Sequence, residues 1–196
     1  MGDIKSAREI AMEKIEKLGM ATDEELLKWK YVPEGEKLAL NYLDRDCDLA
    51  VEMSRYDGNL AKYIIEGAAD ILSRNINLPK DDLARRNNKK AMDGLKSLKT
   101  DKVKVENVHS KIRRILTHYM EQGEQQRKQA YDSLKAEFEA KIQQLAQQQL
   151  GQLMGGSIDV ERQPQFQEEW RKIQSQLDLQ YIKVLDEYKQ ELLSIV

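Results

Sequence analysis

Proline and glycine are scarce in this 196-residue chain, with three of the former and ten of the latter. A many-stranded sheet needs turn residues at short, regular intervals, and so few cannot supply them. Aromatic residues make up 6% of the chain, too few for a bulky globular core along its whole length. Narrow apolar seams on helices fit that composition better. A single cysteine, Cys47, leaves no partner for an internal disulfide. Long apolar runs are also missing, and none approaches the roughly 18 residues that cross a bilayer. The opening stretch MGDIKSAREIAMEKIEKLG carries charges every few residues where a signal peptide would be apolar. The expected location is therefore cytoplasmic. Met1-Gly2 with Ser6 has the outline of a myristoylation start, but Asp3 and the helical pattern around it speak against lipidation.

Catalytic and metal-binding signatures are short of parts. Asp44, Asp46 and Asp48 occupy positions one, three and five of a calcium loop, yet the glycine and glutamate that such a loop requires are Leu49 and Arg55 here. Glu106 and His109 form a Glu-x-x-His pair on one helical face. A di-iron bundle uses that pair twice, and the other histidine, His118, has Ile115 in the matching place. Both histidines are accordingly expected at the surface or an edge. Cys47 lies between two aspartates, which disfavour a thiolate. Nucleophile-elbow, Walker and dinucleotide glycine patterns are all missing from the sequence. Neither an enzyme nor a cofactor is expected.

Helix formers at helical spacing are abundant. Ile4, Ala7, Ala11, Ile15 and Leu18 share one face of a helix over residues 3–18, which Gly19 stops. Thr22 and Glu25 have capping-box spacing and open a short helix that Pro33 closes. The pattern resumes at Glu34 and runs through Leu38, Tyr42, Leu43, Leu49 and Met53. Asp57-Gly58-Asn59 reads as a turn. Leu60, Ile64, Ala68 and Leu72 form the next apolar face, ended by Asn75–Pro79, and Asp81 or Asp82 starts another helix through Leu95 and Leu98. From Val103 to Met154 no proline interrupts a helix of about 75 Å, although Gly123 in a polar stretch invites a break. Gly155-Gly156-Ser157 is the turn. Pro164 then suits the first turn of a return helix with Phe166, Trp170, Ile173, Leu177, Tyr181, Val184, Tyr188, Leu192 and Ile195 along one stripe.

The expected fold is thus all-α: an N-terminal helical bundle or head over residues 1–102, then a long antiparallel coiled-coil helical hairpin over 103–196. The return helix should cover residues 127–154, leaving 103–120 to pack on the N-terminal helices.

Charge is unevenly spread. Residues 80–114 hold 12 basic and 5 acidic groups, whereas residues 1–79 hold 11 and 16, and residues 115–196 hold 9 and 13. Arg85, Arg86, Lys89, Lys90, Lys96 and Lys99 head this basic segment, with Lys89, Lys96 and Lys99 on one helical face. Such a face suits an acidic partner or nucleic-acid phosphates, but no aromatic lies between Arg85 and Arg114 to stack on bases. Leu150, Leu153, Met154 and Ile158 flank the two glycines as an apolar hairpin tip. The function expected is a non-catalytic protein–protein interaction, scaffold or adaptor role with a protein partner. Apolar seam left on residues 103–122 or on the head would favour a homodimer. Alternatives are a nucleic-acid-binding accessory protein using residues 85–114, or a holdase-like chaperone using the tip.

Overall fold

The computed structural model describes residues 22–45, 47–148 and 159–195. Among these residues the structure is all-helical, with six α-helices, one 3-10 turn and no strand. None of the described helices is long and apolar enough to cross a membrane. The chain divides into two compact units: residues up to Arg74 with Asp93–Leu98, and Asn75–Met92 with everything from Lys99 onward. The helix expected over residues 3–18 lies outside the described residues.

In the first unit, α1 (Asp23–Asp44) begins with the expected capping box. The Thr22 hydroxyl accepts from the Glu25 N–H at 3.3 Å, and the Glu25 carboxylate accepts from the Thr22 N–H at 2.8 Å. The stop at Pro33 is not observed, and α1 continues through that residue to Asp44. Pro33 is exposed, so the carbonyl one turn earlier, which loses its helical N–H, can turn to water. Gly35 and Ala39, buried just beyond, hold the following turns in place, and packing there outweighs the intrinsic preference. The continuous helix expected from Glu34 to Met53 is in fact broken. Arg45 is extended, and the Asp48 carboxylate accepts from the Ala50 and Val51 N–H groups at 2.9 and 3.4 Å to start α2 (Leu49–Met53). Aspartate competes with the helix for backbone donors, which makes it a natural start for a new one.

α3 (Gly58–Arg74) crosses α1 at unusually close range. A Cβ on Gly35 would run into the Ile64 carbonyl, with the carbonyl carbon at 2.8 Å and the Ala68 nitrogen at 3.0 Å. A Cβ on Gly67 would meet the Val32 carbonyl in the same way, with its carbon at 2.9 Å. Glycine on both sides is what lets the two backbones touch. Lys28–Glu66 and Lys62–Glu24 ion pairs, at 2.5 and 3.2 Å, flank the crossing at the surface. The end of α4 (Asp82–Leu98) joins this unit, where Gly94 makes room for Tyr42 and Leu72.

In the second unit, buried Asn88 on α4 braces the loop before it. Its amide donates to the Asn77 carbonyl at 2.7 Å and accepts from the Asn77 N–H at 2.8 Å. Asp81 caps α4 through the Ala84 N–H. α5 (Lys102–Gln148) is 47 residues long, about 70 Å, and passes through Gly123 without a break. α6 (Pro164–Ser194) starts with proline in its first turn, as expected, after a 3-10 turn at Val160–Arg162. Contacts pair Lys111 with Glu191, Tyr119 with Asp178, Tyr131 with Trp170 and Phe138 with Phe166. Numbers rise on one helix as they fall on the other across these four contacts.

That register corrects the expectation that residues 103–120 face only the N-terminal helices, because Lys111, His118 and Tyr119 all engage α6. The reason is the connection. Fifteen residues separate the end of α5 from the start of α6, so α6 begins opposite Phe138 and reaches further back along α5. Phe166 sits edge-on between Tyr131 and Phe138 with ring centroids 5.5 Å from each, over Leu134 and Val160.

Candidate functional site

α1 carries an apolar stripe on the face it does not bury. Leu26, Trp29 and Leu40 are 51, 60 and 48% exposed, and Pro33 between them is exposed as well. At 100° per residue these four fall within an arc of about 60°, opposite Gly35 and Ala39. Lys30 and Lys37 border the stripe on one side and Glu36 on the other. Val51, Leu83, Val103, Leu145 and the α6 pair Leu179 and Ile182 are also exposed, but apolar side chains singly or in pairs at a surface are ordinary. A stripe along one helix is not. In the sequence Leu26 and Trp29 are simply apolar positions of the short helix after Thr22. Their spacing marks a face without saying which way it points.

The basic segment does not form the single face its spacing suggests. Arg85, Arg86 and Lys89 are exposed, and Arg85 is paired with Asp82 at 3.2 Å. Lys90 and Lys96 are half-buried. Lys99, expected beside Lys89 and Lys96, is buried, and its ammonium donates to the carbonyls of Leu193 and Ile195 at 3.1 and 2.5 Å. These carbonyls end α6, where the helix dipole is negative and the last carbonyls lack a helical N–H, so an ammonium belongs there. Burial pulls the Lys99 pKa down. Lys104 pairs with Asp101, Lys111 with Glu191, and Arg113 with Glu106. The apolar tip residues Leu150, Leu153, Met154 and Ile158 lie outside the described residues, as does Asp46.

Of the two histidines, His118 is exposed as expected, but His109 is buried in the core at 2% exposure. Its position on α5 falls one residue after Val108 and three before Ile112, inside the apolar seam. No group of three His, Cys, Asp or Glu side chains that could hold a metal ion occurs among the described residues.

Midway along α5 and α6 lies a polar cluster that the apolar periodicity conceals. The Tyr119 hydroxyl donates to buried Asp178 at 3.0 Å, and Lys80 reaches the other carboxylate oxygen at 2.7 Å. The Tyr181 hydroxyl meets His118 Nδ1 at 3.0 Å, and its ring packs edge-on against Tyr119 at 5.1 Å. The Arg127 guanidinium lies 4.4 Å over the Tyr119 ring. A Cβ on Gly123 would crowd this guanidinium at 3.1 Å and the Tyr181 hydroxyl at 3.3 Å, so the residue that looked like a helix break makes room for side chains. Burial first, and then Asp178, push the Tyr119 phenol up to about 12. These groups answer one another across the helix pair. A buried polar set of this kind ties one register to satisfied hydrogen bonds, because a slip would leave Asp178 alone.

No curated protein and no solved structure matches this chain. A family model does match, over residues 50–194, which takes in every element from α3 to α6 and leaves α1 outside. By that match the chain belongs to DUF6657, a family of unknown function.

Proposed function

We propose that this is a non-catalytic helical interaction and scaffold protein that self-associates as a homodimer through the outer face of α1. The finer architecture that goes with this reading is a helical head bearing an antiparallel coiled-coil hairpin, with the hairpin as the arm that engages a protein partner. The observation that carries the reading is the exposed stripe of Leu26, Trp29, Pro33 and Leu40.

A second copy fits this stripe better than an arbitrary partner because the stripe is complementary to itself. Two α1 helices laid antiparallel about a two-fold axis at Pro33 bring Leu26 opposite Leu40. Six large apolar side chains at about 2 kcal/mol each give a gross gain of about 12 kcal/mol. That is of the same order as the roughly 4–15 kcal/mol lost on association, so the dimer is weak and depends on concentration.

Sedimentation velocity over a micromolar concentration series tests this. The wild-type chain should shift from monomer to dimer, and Trp29→Glu should stay monomeric with an unchanged circular dichroism spectrum. A wild-type chain that stays monomeric throughout, or a dimer indifferent to Trp29→Glu and Leu40→Glu, would remove α1 from the reading.

A further inference from the structure

α5 and α6 leave a cleft of about 370 Å³ lined by Ser110, Lys111, Arg114, Ile115, His118 and Tyr188. No carboxylate lines it, whereas Asp101 and Glu191 line the larger cleft on the far side of Lys111. Lys111 is already engaged, bonded to both Glu191 oxygens at 2.8 and 2.9 Å. Lys104 and Arg113 have acidic partners too. Arg114 stands apart: among the described residues it has no ion pair or hydrogen bond, and it lies in the acid-free cleft. The Tyr188 hydroxyl likewise has no hydrogen bond among the described residues, although Lys111 stands 5.7 Å from its ring. His118 is held by Tyr181 through Nδ1. The Tyr181 hydroxyl has one proton and two acceptors in reach, His118 Nδ1 at 3.0 Å and Gln126 Oε1 at 3.4 Å; when it donates over the shorter distance, the ring proton sits on Nε2 and adds a further donor.

We propose that this cleft binds a small phosphomonoester. The Arg114 guanidinium is a planar fork that matches two oxygens of a phosphate. His118 follows Arg114 by one turn on the same face of α5, and Tyr188 comes from α6, so the ring and the hydroxyl offer donors for a further oxygen. A carboxylate has two oxygens to share among these three donor residues, whereas a phosphate ester has three unesterified ones. Ile115 and the Tyr188 ring supply an apolar wall for the organic group, and the volume is at the lower end of that of small-ligand sites. The site owes nothing to self-association through α1.

Phenyl phosphate, inorganic phosphate, benzoate and a short single-stranded oligonucleotide are the probes, and the readout is the NMR signal of the His118 ring in the full chain. Phenyl phosphate should shift that signal saturably and more tightly than inorganic phosphate, with benzoate weaker than either. Arg114→Gln should weaken phenyl phosphate by about tenfold or more, the usual effect of losing a charge-assisted hydrogen bond, and Tyr188→Phe by less. Arg86→Gln, which alters an exposed arginine on α4, should change nothing. The proposal is overturned if the shift does not saturate, if Arg114→Gln binds as the wild type does, or if benzoate equals phenyl phosphate. It is equally overturned if the oligonucleotide binds while phenyl phosphate does not.

Discussion

Replacing Gly35 by alanine pits two terms of opposite sign against each other in one residue. In an exposed helix interior the change stabilises by about 1 kcal/mol, because alanine is the better helix former. At Gly35 the added carbon would sit against the Ile64 carbonyl, with Ile64 C at 2.8 Å and Ala68 N at 3.0 Å. An ordinary contact needs 3.4–4 Å, and both obstacles are backbone, so no rotamer change relieves them. The two helices must move apart, and overpacking of this kind costs about 1–3 kcal/mol. Taking the upper end for a backbone obstacle and subtracting the propensity gain leaves a loss of about 2 kcal/mol. Gly67→Ala should behave alike from the other side of the same crossing. The double variant should cost less than the two added together, since the first substitution already parts the helices. Gly58→Ala is the control: nothing lies within 4 Å of its added carbon. Hydrogen exchange read by mass spectrometry reports α1 and α3 separately from α5 and α6. A loss of 2 kcal/mol appears as exchange about 30-fold faster in α1 and α3 peptides. Unchanged or slower exchange in Gly35→Ala would refute the close crossing, as would a response equal to that of Gly58→Ala.

Four further outcomes follow from features of the helices themselves. Tyr119→Phe removes the donor to Asp178 and should destabilise by about 1–3 kcal/mol in urea unfolding, whereas Tyr119→Phe combined with Asp178→Leu should recover part of that loss. The Tyr119 phenol has a folded-state pKa raised from 10 to about 12. Its contribution is therefore full below pH 10 and lost as pH rises towards 12, so the urea midpoint should fall across that window, and less steeply in Tyr119→Phe. Lys99→Met strands the last carbonyls of α6 and should cost about 1–3 kcal/mol, seen as faster amide exchange at the end of α6. Pro33→Ala should stabilise α1 by up to about 3 kcal/mol in a thermal melt. A loss instead would mean that Pro33 is needed to seat Gly35 on α3.

Local chemistry made much of the helical framework legible. The Thr22–Glu25 box, the Asn75–Pro79 stop, the Asp81 cap and Pro164 each act within a few residues of themselves, and the structure has them in those roles. What escaped needs a partner distant in sequence. Gly35 and Gly67 drew no reading from the sequence, because a glycine's use as a contact surface appears only when another backbone arrives. Gly35-x-x-x-Ala39 and Gly67-Ala68-Ala69 were the available signal. Pro33 obeys a local rule that packing overrode one turn later. Lys99 was read as a surface charge because the carbonyls it serves are more than ninety residues away. Asp178 hides in a stripe of Leu177, Tyr181 and Val184, where one polar residue barely alters the period. The Arg114 cleft was half legible: the basic excess was plain, but not which cation lacks an acid.

The pairing of α5 with α6 also sets a timetable for synthesis. Tyr119 finds Asp178 across 59 positions, and Lys99 finds Leu193 across 94. At about 5–20 residues per second, the 46 residues from 149 to 194 take roughly 2–9 s to translate. Until residue 170 is reached, about 1–4 s into that interval, Tyr131, Leu134 and Phe138 are already made while Phe166 and Trp170 are not both there to cover them. A nascent chain halted within that window offers an uncovered aromatic seam to any neighbour on the polysome. A ribosome stall or a premature stop between residues 148 and 164 is thus the event against which this chain most needs a guardian.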